Sequence, residues 1–134
     1  MSGLVLKLSP RERVLINGAV IENGERRSRI NIVSPNANIL RLRDAIHPEE
    51  ANTPVKRICY ITQLILSGDV DVEVARRQLL TGVEQLSQVF KDPDSREIIA
   101  IATGHLVDAN YYPALKTLKS LLDREERLLA VQAS

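Results

Sequence analysis

A chain of 134 residues with 44% hydrophobic and 26% charged residues has the composition of a globular domain, neither fibrous nor disordered. At that length it buries roughly two-thirds of the surface its unfolded form exposes. The first dozen residues lack the basic start and apolar run of a secretory signal, no apolar stretch nears the roughly 20 residues that span a bilayer, and the single cysteine, Cys59, has no internal partner, so a cytoplasmic location without membrane contact is expected. The net charge of +1 conceals a division. Residues 1–43 hold eight Lys and Arg against three Glu, whereas the remainder holds ten against fourteen Asp and Glu. An anionic partner for the first third would explain this, and so would arginines spread over the solvent side of a sheet.

Up to about residue 43 the chain reads as short Val- and Ile-rich strands divided by turn residues. In Leu4 to Leu8, three leucines alternate with Val5 and Lys7. Arg13 to Ile16 runs into Asn17-Gly18, a pair suited to the positive dihedrals of a tight hairpin, and Ala19 to Ile21 runs into a second such pair, Asn23-Gly24. Arg29 to Val33 and Ile39 to Arg43 complete a meander of about five strands, with Ser34-Pro35-Asn36 as a turn. Residues 44–52 have no period and form a linker.

Helices follow. Thr53-Pro54 is a good helix start, Val55, Ile58, Cys59, Thr62, Ile65 and Leu66 share a face, and Gly68 can close the helix. A second helix from about Asp71 to Lys91 carries Val72, Ala75, Leu79, Val83, Leu86 and Phe90 at helical spacing. Asp92-Pro93 caps a third with Ile98, Ile99, Ala102 and Leu106. After Asp108-Ala109-Asn110, a fourth carries Tyr111, Ala114, Leu115, Leu118 and Leu122 and continues through a charged stretch to Leu129. The expected fold class is α+β: a small antiparallel, barrel-like meander followed by a four-helix region. A basic β-rich segment would occupy residues 1–50 and a helical region residues 51–134.

Catalytic motifs are missing from the sequence. No nucleophile elbow, phosphate-binding glycine loop, dinucleotide fingerprint or metal-ligand spacing occurs, and His47 and His105 stand apart from any second ligand. No enzymatic role and no cofactor or metal are expected. Cys59 reads as a small buried hydrophobe.

The string Ile16 to Arg27, Ile-Asn-Gly-Ala-Val-Ile-Glu-Asn-Gly-Glu-Arg-Arg, resembles the Asn-Gly-Ala-Val…Asn-Gly-(acid)-Arg-Arg signature of the FlbT family. Leu4 to Leu8 with Pro10, the Thr53-Pro54 helix containing Tyr60, and Tyr111-Tyr112 with Ala114-Leu115 extend the similarity from about residue 4 to 130. The resemblance implies a post-transcriptional regulator of flagellum biosynthesis that binds the 5′ untranslated region of flagellin message. It usually promotes decay, as a repressor, and in some relatives activates. More weakly, the first segment is similar to the carbon storage regulator CsrA, whose outer strands grip messages from an interlocked dimer. A homodimer follows from that analogy alone.

On a strand Arg41 and Arg43 project from one face and leave Leu40 and Leu42 for the core, which gives two guanidinium forks for phosphates or guanine edges. Lys7 adds a point charge, and Arg26, Arg27 and Arg29 form a second group beside Asn23-Gly24. The expected RNA contacts are Lys7, Arg26, Arg27, Arg41 and Arg43. Residues 1–58 contain no Phe, Tyr or Trp on which a base could stack, which leaves charge, backbone edges and arginine planes for the contact. Tyr111 and Tyr112 are secondary candidates for a partner surface. The rival reading is a protein-interaction adaptor for flagellin or its export chaperone that works through the helical part.

Overall fold

The computed structural model describes residues 3–133. Among them the chain forms five strands, β1 (Leu4–Leu8), β2 (Arg13–Ile16), β3 (Ala19–Glu22), β4 (Ser28–Ile32) and β5 (Ile39–Arg41). Five α-helices follow: α1 (Pro54–Ser67), α2 (Val72–Val89), α3 (Pro93–Val107), α4 (Tyr111–Lys119) and α5 (Leu122–Ala133). The architecture is α+β, as expected.

The strands match the sequence reading in number and place but pair out of chain order. β1 and β4 form an antiparallel ribbon, and β3-β2-β5 form a separate antiparallel sheet. The Asn17-Gly18 hairpin is present, with φ of 51° and 85° at the two residues. Asn23-Gly24 forms no second hairpin, because β3 does not turn back onto β4 and Gly24 stays outside the left-handed region. Instead Asn23 acts as a staple: its Nδ2 donates to the carbonyls of Ser9 (2.8 Å) and Arg26 (2.9 Å), and its Oδ1 accepts from the Ser28 hydroxyl (2.7 Å).

Strand alternation makes the three-stranded sheet a middle layer. Val14 and Ile39 point to one side, where they pack with Leu6 and Leu8 of the ribbon. Their neighbours Leu15 and Leu40 point to the other side, into the core formed by the helices. Tyr112 packs against both clusters. The expected last strand ends early, since Leu42–Asp44 turns into a single 3₁₀ turn and a second covers Pro48–Glu50. The stretch between them is pinned by Gln63, which accepts from the Ile46 N–H (2.8 Å) and donates to the Ile46 carbonyl (2.9 Å).

The helix boundaries follow their caps. Thr53 accepts from the Lys56 N–H, Gly68 closes α1 at φ 82° with Gly68 N–H to Ile65 and Asp69 N–H to Leu64, and Asp71 and Asp92 cap α2 and α3. The buried stripes largely follow those read from the sequence, but Val72 and Leu129 are exposed, Ile98 and Leu122 are only half-buried, and Leu121, outside the expected stripe, is fully buried. The single helix expected after Asn110 is two helices. Thr117 and Ser120 hydrogen-bond back to the carbonyls of Pro113 and Thr117, the turn tightens, and the chain restarts as α5. That break directs Glu125 onto the start of α1, where its carboxylate accepts from the Val55 N–H (2.8 Å) and from the Thr53 hydroxyl.

Candidate nucleic-acid interface

The side chain of Glu12, only 2% exposed, is the hub of the β-rich part. Its Oε1 accepts from the Ser9 N–H (2.9 Å), and Arg41 forks onto both oxygens, Nε to Oε2 at 2.7 Å and Nη2 to Oε1 at 3.0 Å. Arg43 approaches the same carboxylate at 3.4 Å and donates to the Ser9 hydroxyl at 3.1 Å. Arg41 also donates to the Lys7 carbonyl and so ties the middle sheet to the ribbon. The Arg41 hydrogen bonds hold the Glu12 carboxyl below its ordinary pKa against the opposing effect of burial, with help from the Ser9 N–H and the charge of Arg43. Glu12 raises Arg41 reciprocally. Alternation explains the convergence: Arg41 lies on the Ile39 side of β5, which faces the ribbon, so its guanidinium turns inward and is 18% exposed, whereas Arg43 beyond the strand end is 50% exposed.

The remaining cations of the first 43 residues divide cleanly. Arg13 pairs with Glu22 at 2.9 Å, and Arg11 pairs with Glu25 at 3.0 Å and approaches Glu22 at 3.9 Å. With Arg41 and Arg43 on Glu12, the three acids of the segment are all used. Among the described residues, the side chains of Lys7, Arg26, Arg27 and Arg29 form no ion pair or hydrogen bond, and all four are exposed.

Lys7 and Arg29 lie on the β1–β4 ribbon, and Arg26 and Arg27 in the turn that leads into β4. Lys7 stands directly across from Arg29 in the β1–β4 register. Like charges in that position repel, at a cost of up to about 1 kcal/mol. Lys7, Leu8, Ser9, Arg27, Ser28 and Arg29 line a shallow groove of about 370 Å³ that has no acidic group on its walls. The Asn23 staple holds Arg26 and Arg27 at the end of this ribbon. The result is a positive strip with hydroxyls at its centre, suited to successive phosphates.

Of the expected contacts, Lys7 thus stands free on the ribbon and Arg26 and Arg27 at its end, while Arg41 and Arg43 meet as anticipated but on an internal carboxylate. Arg29 completes the strip. Its place opposite Lys7 depends on β1 pairing with β4 across two intervening strands, which local sequence does not show. Tyr111 is buried in the helical core, and Tyr112 is half-buried, its hydroxyl pKa raised by that burial, with the Lys116 ammonium 5.7 Å from its ring. Cys59 is fully buried and its thiol is pushed up to about 12 by desolvation. Among the described residues, no cluster of three His, Cys, Asp or Glu is placed to hold a metal, and no helix is long and apolar enough to cross a membrane.

Residues 4–129 match the family described as flagellar protein FlbT. The chain belongs to the FlbT family. A probable flagellum biosynthesis repressor protein FlbT from Rhodopseudomonas palustris strain TIE-1 is 36% identical over 129 residues, covering 95% of this chain and 98% of its own. A probable flagellum biosynthesis repressor FlbT from Caulobacter sp. strain K31 is 28% identical over 94% of this chain and 95% of its own. The flagellum biosynthesis repressor protein FlbT of Caulobacter vibrioides strain CB 15 is 27% identical over 94% and 89%. No solved structure gives a significant match. The match runs through both the ribbon and the helices, so the FlbT family unit includes the cationic strip and the helical part alike.

Proposed function

We propose that this FlbT-family chain regulates flagellum biosynthesis in the cytoplasm by binding RNA directly, with the β1–β4 ribbon on the 5′ untranslated region of flagellin message. Translation and decay of the message are the steps controlled. The observation that carries this reading is the unpaired set Lys7, Arg26, Arg27 and Arg29, gathered on one ribbon and at its end although every acid in the segment is spent on other arginines. Unpaired like charges facing each other cost stability, and a polyanion would relieve that cost. Arg43 borders the strip and can add a contact from its exposed side. Arg41 serves the site by fixing the ribbon against the middle sheet.

With no Phe, Tyr or Trp in the first 58 residues, the contact rests on phosphates and arginine planes, so affinity should exceed sequence preference. The test is fluorescence anisotropy of a labelled flagellin leader RNA with wild type, the Lys7→Glu/Arg29→Glu variant and an Arg13→Glu control that reverses a cation already paired with Glu22. Loss of binding in the first variant alone supports the reading. Equal loss in both, or no loss in either, removes the ribbon from the interface.

A further inference from the structure

A second surface lies on the helices, away from the ribbon. Pro54, Arg57, Ile58 and Ile61 follow one another at helical spacing along α1, and Gln78, Thr81, Gly82, Gln85, Leu86 and Val89 do so along α2. Together with Arg77 they line an open groove of about 610 Å³. The α2 side extends over about 18 Å at 1.5 Å per residue, a little over three turns of a helix laid along it.

Three features distinguish this groove. Its floor is aliphatic, with Ile58, Ile61, Leu86 and the half-exposed Val89, and it has no aromatic ring. Gly82 sits in the middle of an 18-residue helix, where glycine costs about 1 kcal/mol relative to alanine, and a Cβ there would come within 2.8 Å of the Ile58 side chain. The glycine therefore sets the close approach of α1 and α2 that shapes the floor. Finally, the groove carries charge of one sign. In a part of the chain where fourteen acids outnumber ten bases, the charged residues lining it are Arg57 and Arg77. Arg57 has no side-chain polar partner among the described residues, and Arg77 donates to the Glu73 carbonyl at 3.4 Å.

We infer that the α1–α2 groove is a docking site for an acidic amphipathic helix of a partner protein, whose apolar residues seat between the two helices while its carboxylates meet Arg57 and Arg77. A hydrophobic groove holds the apolar face of an amphipathic helix, and cationic rims such as these favour an acidic partner and fix its register. A nucleic acid would gain nothing from that floor. The site is independent of the RNA reading, because it shares no residue with the ribbon.

The probe is a synthetic helical peptide of about 16 residues, slightly longer than the groove, with leucines at every third and fourth position flanked by glutamates. A counterpart carries lysines instead. The glutamate peptide should bind wild type, lose about tenfold or more in affinity to Arg57→Glu/Arg77→Glu, and be excluded by Thr81→Trp. The lysine peptide should bind the double variant better than wild type. Both variants alter exposed positions, and thermal melting monitors their folding. A photoreactive residue at Gln78 or Gln85 in flagellated cells should crosslink to an acidic helical segment of another protein. No binding of the glutamate peptide, or binding indifferent to the charge reversal, overturns the proposal. So does a crosslink that is absent or maps to RNA or to a second copy of this chain.

Discussion

Glu125 sits within the run Asp123-Arg124-Glu125-Glu126-Arg127, and nothing in that run separates it from a solvated helix face. In the structure it is 5% exposed and satisfies the Val55 N–H at the positive end of α1. Glu125→Ala should lower the unfolding free energy by about 1–3 kcal/mol, since it strands a buried donor, and a urea titration measures this. Ala109 shows the opposite case. It ends α3 in the left-handed region at φ 60°, where a Cβ is strained, so Ala109→Gly should raise stability by roughly 1 kcal/mol and shift the thermal midpoint upward. Glu12 links stability to pH. Its folded-state pKa lies below the unfolded value, so its contribution is complete at neutral pH. That contribution declines as pH falls through the ordinary glutamate value of about 4.3 and is lost below the folded value. Between pH 7 and pH 3, wild type should therefore lose more stability than Glu12→Gln, with an equal loss in both excluding Glu12 as the titrating group.

At the scale of elements, the proposed RNA contact sets binding against stability in the ribbon. Because Lys7 faces Arg29, Arg29→Glu replaces a repulsion with a cross-strand ion pair and should stabilise the fold by about 0.2–1 kcal/mol while it weakens RNA binding. A variant that gains stability and keeps its RNA affinity would show that this opposition serves no ligand. The elements themselves were legible because their signals are local. The Asn17-Gly18 turn, the Thr53-Pro54 start, the Gly68 stop and the Asp92 cap each depend on a few adjacent residues, and each stands where expected. Asn23-Gly24 carries the same local signal as Asn17-Gly18 but was recruited to a long-range role by Ser9, Arg26 and Ser28. The break at Ser120 was hidden because the apolar spacing of α4 carries on into α5.

For the whole molecule, strand pairing decides which cations are available. Which of the eight basic residues in the first third are free depends on β1 meeting β4 and β5 meeting β2, contacts spanning 20 or more residues in sequence and invisible to periodicity. The charge division was readable from composition, as was the approach of Arg41 to Arg43. The buried Glu12 that receives them was not, because a glutamate between two arginines reads as a solvent-exposed charge. The three layers then separate the two surfaces, with a cationic ribbon on one side of the middle sheet and the helices with their α1–α2 groove on the other. The most direct measurement of the central claim is the salt dependence of flagellin leader binding. If four ribbon cations meet phosphates of a single strand, log affinity against log salt should have a slope of about −3, reduced by at least half in Lys7→Glu/Arg29→Glu. A slope near zero, or one unchanged by that substitution, would contradict it.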